Sequence, residues 1–210
     1  MATRTGKKEE MAEDAEPTRA YLRREHLLAT ARSLFVDQGF HQTGMAQIAA
    51  ASGIKVGQIY RDFSNKEDII AAICERDVTA WLEEDRLRAA MEAKDLAAVR
   101  DWMDRFVFSD DSAEECRLMS EIVAEAGRNQ RIADLNRCID VRIRESLSAA
   151  LAAVTSDREC SEEQDALMNF ILALGIGITM RRALDPGRKY DPMFRYVSKI
   201  IDERISALAE

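Results

Sequence analysis

Apolar residues recur at helical spacing in nearly every segment of the chain from Thr18 onward, and few residues interrupt that pattern. Only three prolines and nine glycines occur among the 210 residues, whereas a β-rich protein needs many turns. In the first of these segments Leu27, Ala31 and Leu34 share one helical face, and Gly39 follows as a stop. The pattern therefore predicts an all-α fold.

The breaks in the periodicity predict where each helix lies. Thr43 is placed to cap the second helix, and Ser161 with Gln164 has the spacing of a capping box. Residues 1–17 are polar without periodicity, so we expect a disordered N-terminal arm followed by domains over 18–66 and 67–210. The predicted helices span 18–38, 44–52, 56–63, 66–91, 95–108, 113–127, 131–154, 161–184 and 192–209.

Charge is distributed unevenly along the chain. The formal net charge is -8, which by itself argues against a nucleic-acid partner. Residues 18–66 nevertheless carry seven Lys or Arg against three Asp or Glu, so the acidic excess lies mainly in the C-terminal part. This distribution predicts that any contact with a polyanion is made by the first third of the chain.

Three residues of this basic segment have the spacing of a helix-turn-helix. Ala49 is small enough for a second helix to cross close to it, and Gly53 supplies the positive φ of a tight turn. Ile59 fills the wedge between the two helices. The exposed face of the second helix is then free to enter a DNA major groove.

The segment TGMAQIAAASGIKVGQIYRDFSNKEDII, residues 43–70, resembles the DNA-binding domain of the TetR family of bacterial transcriptional regulators. The resemblance covers about residues 24–73 and implies an N-terminal three-helix helix-turn-helix DNA-binding domain. It also implies a C-terminal helical ligand-binding and dimerisation domain, a homodimer that binds double-stranded operator DNA, and release by a small molecule. The matching residues are Phe35, Gly39, Phe40, Thr43, Ile48, Ala49, Ser52, Gly53, Ile54, Gly57, Ile59, Tyr60, Phe63, Ser64, Asn65, Lys66 and Glu67.

The sequence departs from the family pattern at two positions. Lys55 stands where a small hydroxyl residue usually caps the recognition helix, and Asp62 stands where an aromatic residue or His is frequent. The first departure removes the cap, although the Lys55 charge is suited to a phosphate. The second adds a negative charge close to the DNA.

Eight residues are predicted to bind DNA. Gln58 is the candidate base reader, because its amide matches adenine, and Val56 is suited to a thymine methyl group. Thr43, Tyr60 and Lys66 join Lys55 as candidate phosphate contacts. The alternative is that Tyr60 packs on a neighbouring helix and the lysines are only solvated. The full set is Thr43, Lys55, Val56, Gly57, Gln58, Tyr60, Arg61 and Lys66.

The C-terminal part offers bulky apolar residues for an inducer pocket, although ordinary core packing explains them equally well. Residues 118–131 loosely resemble the regulatory part of family members that control efflux or choline metabolism, and a lipophilic or amphipathic inducer is expected. The candidate ligand-binding residues are Trp102, Met103, Phe106, Met119 and Phe170.

Two further expectations concern helix contacts. Ala173, Gly175 and Gly177 indicate either close helix packing, as in dimerisation through the last two long helices, or a distortion beside the pocket. The long helix over 66–91 is expected to act as a rigid lever between the two domains.

Other classes of protein find little support. A helical-bundle enzyme has no catalytic motif here. A helical interaction module whose helix-turn-helix contacts protein stays an alternative, and salt-sensitive binding to duplex DNA would distinguish a DNA-binding regulator from both. No cofactor or metal site is predicted, because Cys74, Cys116, Cys138 and Cys160 are widely spaced. They are expected to be free thiols, with redox sensing as the alternative. No membrane span or secretory signal is predicted, so the expected location is the cytoplasm.

Overall fold

The computed structural model describes residues 18–108, 111–155 and 161–209. These ranges contain helices and no strand, which confirms the all-α prediction, while the predicted arm and Cys160 lie outside them. The helices are α1 (Arg19–Gln38), α2 (Met45–Ser52), α3 (Val56–Asp62), α4 (Lys66–Leu82), α5 (Glu84–Glu92), α6 (Leu96–Phe108), α7 (Ala113–Ala126), α8 (Gln130–Thr155), α9 (Glu162–Leu184) and α10 (Asp191–Leu208).

The N-terminal core is built by more than the first four helices. Its buried residues from α1 to α4 include Phe35, Ile48 and Ile59, as the helical spacing predicts. Leu118 and Ile122 of α7 belong to the same cluster, and so does Ile132 of α8. The N-terminal core is therefore completed by side chains from the C-terminal half of the chain. Its remaining members are Leu27, Leu28, Ala31, Phe40, Ala49, Phe63, Ile69, Ile70, Ile73 and Cys74.

The prediction of one helix over 66–91 is wrong. The segment forms α4 and α5, and Glu83 between them has a φ of 46° and a ψ of 48°. This left-handed backbone is uncommon for a residue other than glycine, so no local sequence signal marks it. The first part of α4 contributes to the N-terminal core, whereas Leu82 at its end lies in the C-terminal core. A rigid lever can extend only as far as Leu82.

Two side chains of α6 hold the end of α4. Trp102 donates its indole N–H to the carbonyl oxygen of Leu82, and Arg105 donates to the carbonyl oxygen of Trp81. Arg105 also pairs with the Glu83 carboxylate at 2.9 Å. A helix leaves its last carbonyl groups without partners inside the helix, and these contacts satisfy two of them. The break between α4 and α5 is thus fixed by residues about twenty positions away.

The C-terminal core packs α6 closely against α9. A Cβ atom placed on Gly175 would lie 2.4 Å from the carbonyl oxygen of Phe106, so only glycine fits there. A Cβ on Gly177 would meet nothing within 4 Å. Of the two interpretations of these glycines, close packing explains Gly175, but the contact is within one chain. The predicted capping box at the start of α9 is confirmed, since the Ser161 hydroxyl oxygen accepts a hydrogen bond from the backbone N–H of Gln164 at 3.2 Å.

By length and composition α9 is apolar enough to cross a membrane, with a mean hydropathy of 1.4 over its best 18 residues. Only 22% of that window is buried within the chain. Core helices of soluble proteins pass the same test, so it is weak support for a span. The low burial means that α9 leaves apolar side chains such as Phe170 and Ile176 on the surface.

Candidate nucleic-acid interface

The helix-turn-helix has the geometry that its spacing predicts. Gly53 ends α2 with a φ of 69° and a ψ of 8°. A Cβ added there would meet nothing within 4 Å, so glycine is needed for the backbone angle and not for space. Ile48 and Ile59 are buried between the helices, and Ala49 lies beside them. The predicted turn and wedge are confirmed.

The turn is also held by polar contacts that the sequence did not reveal. The Ile54 amide donates to the Ser52 hydroxyl at 3.3 Å. His26 of α1 has its Nε2 atom 3.0 Å from the carbonyl oxygen of Ser52. These contacts fix the last turn of α2 against α1, and therefore set the direction in which α3 leaves.

One side of α3 is exposed, and we call it the open face: Lys55, Val56, Gly57, Tyr60 and Arg61. Val56 is 40% exposed and Tyr60 is 50% exposed. Within the described ranges the side chains of Lys55 and Arg61 make no hydrogen bond or ion pair. Lys55 precedes α3 without capping it, as expected from the departure at this position. The open face therefore presents two unpaired cations around an apolar and aromatic strip.

Gln58 lies beside this face and contacts α1. When the Gln58 side-chain amide is oriented so that its oxygen accepts hydrogen bonds from Arg23, that oxygen lies 3.1 Å from Nη1 and 3.2 Å from Nε of Arg23. Arg23 also pairs with Asp62 at 3.4 Å. Arg23 thus neutralises the charge of Asp62, where the sequence departs from the family pattern, and it orients Gln58, the predicted base reader. Sequence reasoning missed this role, because Arg23 is 35 positions away from Gln58.

Two other cations of the basic segment have partners within the protein. Arg32 lies 3.5 Å from Asp77 and 3.6 Å from Glu114, so it joins α1 to α4 and α7. Arg24 stands over the Phe63 ring at 5.3 Å from the ring centroid. The local charge excess therefore overstates the number of cations that are free to meet a polyanion.

Thr43 does not cap α2. Gly44 is the N-cap, and the Thr43 side chain is 1% exposed. Its hydroxyl donates to the carbonyl oxygen of Gly39 at 2.9 Å and approaches that of Leu34 at 3.3 Å. The predicted hydroxyl contact with a phosphate is therefore corrected to an internal contact.

The Lys66 ammonium is likewise used inside the protein. It lies 2.7 Å from the carbonyl oxygen of Phe40 and 3.2 Å from those of His41 and Thr43. It also stands 4.5 Å from the centroid of the Phe40 ring. An ammonium group has three N–H donors, and three backbone carbonyl oxygens lie within their reach here. Lys66 thus has internal partners in the free protein, and its predicted phosphate contact stays a prediction.

The same turn is held from α7. Glu121 accepts a hydrogen bond from the Phe40 amide at 3.0 Å. We call residues 39–43, held by Lys66, Glu121 and the Thr43 hydroxyl, the clamped turn. It connects the start of α2 directly to the C-terminal half of the chain. Glu121 carried no sequence signal, since its partner is a backbone amide 81 positions away.

The five predicted ligand residues do not share one cleft. Trp102, Met103 and Phe106 lie in the C-terminal core, with the Trp102 and Phe106 rings 5.2 Å apart. Met119 and Phe170 are on the surface, 42% and 38% exposed. Neither of the two clefts described in this structure is lined by any of the five.

The described cysteines differ in burial. Cys74 and Cys116 are buried and Cys138 is exposed, and all three are free thiols. Burial raises the pKa of Cys74 to about 12 and also raises the pKa of Cys116. Within the ranges that the structure describes, no group of three or more His, Cys, Asp or Glu residues is placed to hold a metal ion.

Comparison with known proteins covers both halves of the chain. Residues 27–73 match the tetR family of bacterial regulatory proteins. Residues 84–205 match the C-terminal domain of BetI-type transcriptional repressors. Together these matches include the helix-turn-helix and most of the C-terminal core, and the families matched are transcriptional regulators and not enzymes.

Individual relatives are regulators as well. The transcriptional activator FasR of Mycolicibacterium smegmatis is 36% identical over an alignment of 83 residues, and the match covers 34% of this chain and 38% of FasR. The transcriptional regulator UidR of Escherichia coli K12 is 27% identical over 168 residues, 79% of this chain and 81% of UidR. The structure of Salmonella enterica GusR has a TM-score of 0.63 at 24% identity and covers 91% of this chain and 95% of GusR, so the fold is shared.

Proposed function

Since the chain belongs to the tetR family and is a transcriptional regulator, we propose that it is a repressor that binds a palindromic operator as a homodimer and leaves it when a small molecule binds. The observation that carries the proposal is the open face of α3. It is the exposed side of a helix-turn-helix, and Lys55 and Arg61 on it have no partners among the described residues. Such a face suits the major groove of DNA.

The contacts are proposed from what each open-face side chain has available. Lys55 and Arg61 bind phosphates, and Tyr60 donates its hydroxyl to a third. Gly57 has no atom within 4 Å of an added Cβ, so the DNA is able to approach the backbone there. Val56 contacts a thymine methyl group. Lys55 is the principal phosphate-binding lysine on this face.

Gln58 is proposed as the base reader, with Arg23 as the residue that orients it. Bidentate pairing with adenine needs both the amide oxygen and the amide nitrogen of Gln58. Arg23 lies against the oxygen in the free protein, so it must give up or share that contact on DNA. Removing Arg23 should therefore alter base preference without itself touching a base.

The homodimer is proposed to form through α9 and α10. Phe170, Ile176 and Leu184 of α9 are 38%, 55% and 84% exposed, and Tyr196 of α10 is 68% exposed. Gly177 leaves open space on the same surface of α9. Several exposed apolar side chains on two neighbouring helices are typical of a dimer interface. A C2 dimer would present two copies of α3 to two half-sites of a palindrome.

We propose that ligand binding is coupled to DNA binding mainly through α7. That helix contributes Leu118 and Ile122 to the N-terminal core, and its Glu121 and Glu114 reach the clamped turn and Arg32. A shift of α7 would therefore move α1 and α2 directly. The proposed location is the cytoplasm, where a bacterial regulator meets DNA.

The test combines selection and salt dependence. Genomic fragments bound by the purified protein are sequenced to obtain the operator, and affinity for it is measured against salt concentration. Lys55→Gln in each subunit should make the salt slope shallower by about 2, since two phosphate contacts are lost per dimer. Lys189→Gln, an exposed lysine of the α9–α10 connection, is the matched control. A slope that is the same in both variants contradicts the proposed phosphate contact.

A second candidate function is the activation of transcription, because the relative FasR is described as a transcriptional activator. A reporter gene placed behind the selected operator separates the two. Repression predicts that expression rises when the protein is absent, and activation predicts that it falls.

A further inference from the structure

A half-open cleft of about 300 Å³ lies where the ends of α6 and α9 meet the start of α10. None of the five candidate ligand-binding residues lines it, although Phe108, another bulky apolar residue of the C-terminal part, does. The volume is at the lower end of the range found for small-molecule sites, about 300–1,000 Å³. The cleft is therefore large enough for a small organic molecule, and its lining indicates which kind.

Three aromatic rings form its apolar wall. Phe108 and Phe194 have ring centroids 5.3 Å apart and nearly perpendicular planes. Tyr190 and Phe194 have centroids 6.1 Å apart. The rings come from α6, α10 and the residue before α10, so their arrangement depends on how these elements meet. A flat or slender apolar body would pack against them.

One polar group in this wall has no partner. Tyr190 is 8% exposed, and its hydroxyl makes no hydrogen bond with any described residue. An unsatisfied buried hydroxyl lowers stability, and such groups in folded proteins usually serve another purpose. A ligand oxygen that reached this hydroxyl from the cleft would satisfy it.

Among the described residues that line the cleft, arginines outnumber carboxylates. Arg182 and Arg188 line it against one carboxylate, Asp191. The guanidinium of Arg182 stands 5.7 Å from the centroid of the Phe194 ring. That position is the one a ligand cation would take over an aromatic face, and it is already filled by the protein. The cleft thus differs from an aromatic cage for a quaternary ammonium ion.

We propose that this cleft binds a small carboxylic acid with an aromatic or short aliphatic body. Its carboxylate pairs with the Arg188 guanidinium and accepts a hydrogen bond from the Tyr190 hydroxyl. The apolar body lies against Phe108 and Phe194. A planar guanidinium holds a carboxylate through two parallel hydrogen bonds, which fixes the orientation of the ligand.

As an effector site the cleft rests on the proposed ligand-responsive function, and its position connects it to α7. Ala113, the first residue of α7, lines the cleft. The next residue, Glu114, pairs with Arg32 of α1 at 3.6 Å, and Glu121 reaches the clamped turn. A ligand against Ala113 therefore acts at one end of the helix that contacts the DNA-binding half.

Binding is tested by calorimetric titration of the purified protein with matched probes. Phenylacetate, 4-phenylbutyrate and octanoate are compared with their uncharged amides and with benzyltrimethylammonium. At least one carboxylate should bind once per subunit, and its amide should bind at least about tenfold more weakly, because a charge-assisted contact is lost. Equal binding of acid and amide, tighter binding of the ammonium ion, or no carboxylate bound below about 1 mM overturns the proposal.

Variants locate the site. Arg188→Gln should weaken carboxylate binding about tenfold, whereas Lys189→Gln, which removes a neighbouring charge outside the lining, should not. Tyr190→Phe should weaken binding several-fold without lowering the thermal midpoint of the free protein, because the hydroxyl has no partner there. Equal affinities in the two charge variants contradict the role of Arg188, and unchanged affinity in Tyr190→Phe contradicts that of Tyr190.

Operator binding is measured separately with and without the carboxylate. Weaker operator binding in the wild type, lost in Arg188→Gln, supports an effector site. Carboxylate binding that leaves operator affinity unchanged overturns the ligand response but not the site. Operator binding with no carboxylate bound overturns the site but not the DNA-binding function.

Discussion

The clamped turn and the open face of α3 both carry the polar groups that a DNA interface needs, but they use them in opposite ways. In the clamped turn the Thr43 hydroxyl and the Lys66 ammonium donate hydrogen bonds to backbone carbonyl oxygens. On the open face Lys55 and Arg61 keep their donors available. Residue type and position in a motif therefore do not by themselves reveal a DNA contact. What matters is whether the donor atoms remain free after folding.

The largest effect should come from the centre of the clamp. Lys66→Met keeps the apolar stem but removes three contacts to carbonyl oxygens, and we expect the unfolding free energy to fall by about 3 kcal/mol. Lys55→Met is the matched variant on the open face and should change stability by less than about 0.5 kcal/mol while weakening DNA binding. Urea unfolding at one protein concentration measures both. A stable Lys66→Met protein with a shallower salt slope would reverse the assignment of the two lysines.

The contrast between closed and open positions is repeated within α9. Gly175→Ala would place a Cβ 2.4 Å from a backbone oxygen of α6, and we expect a loss of about 2 kcal/mol. Gly177→Ala has open space and should stabilise the helix by up to about 1 kcal/mol. Thermal unfolding of the two variants gives the difference. Similar midpoints would mean that α6 and α9 are not in close contact, and a loss of dimer in Gly177→Ala would place that residue at the subunit interface.

A smaller effect is expected from the edge of the clamp. Thr43→Val preserves shape and removes only the hydroxyl, so the unfolding free energy should fall by about 1 kcal/mol. Affinity for the operator at temperatures where the protein is folded should change little, because the hydroxyl is buried. Undiminished stability together with weaker DNA binding would instead restore Thr43 as a phosphate contact.

The last prediction concerns the reactivity of the cysteine thiols and involves no change in stability. In a Cys160→Ser background, Cys138 should react with an aromatic disulfide reagent in the folded protein at pH 8, whereas Cys74 and Cys116 should not. The pKa of Cys74 is raised to about 12, so only about one molecule in ten thousand carries the thiolate at that pH. Raising the pH to 9 increases the Cys74 thiolate tenfold, yet it remains a trace. Three equivalents of rapid reaction would show that the buried thiols are accessible.

Local sequence predicted the helix-turn-helix well, because each requirement acts over a few residues. The positive φ of Gly53 and the buried spacing of Ile48 and Ile59 are set by neighbours along the chain. The break between α4 and α5 was not predictable in this way. Glu83 has no intrinsic preference for a left-handed backbone, and the groups that hold it, Trp102 and Arg105, come from another helix.

The candidate site was predictable in position but not in the state of its side chains. Lys55 and Arg61 lie on the open face as the helical spacing indicates. Lys66 seemed equivalent from its charge, but its partners are carbonyl groups 23 to 26 positions earlier, which no side-chain pattern encodes. The proposed effector cleft was not predictable from the sequence, because Tyr190 and Arg188 belong to a connection between helices, where periodicity carries no signal.

The shared membership of α7 limits how this regulator can be recombined with its relatives. Leu118 and Ile122 are buried in the N-terminal core, and each contributes about 1.5–3 kcal/mol through burial. A chimaera that joins residues 18–82 to a foreign C-terminal half would lose both contacts, along with the carboxylate of Glu121. Its DNA-binding half would then be an incomplete module. Successful exchange requires that the α7 side chains that face the N-terminal core be transplanted together with the helix-turn-helix. The residues that must be exchanged together therefore lie in two separate stretches of the gene.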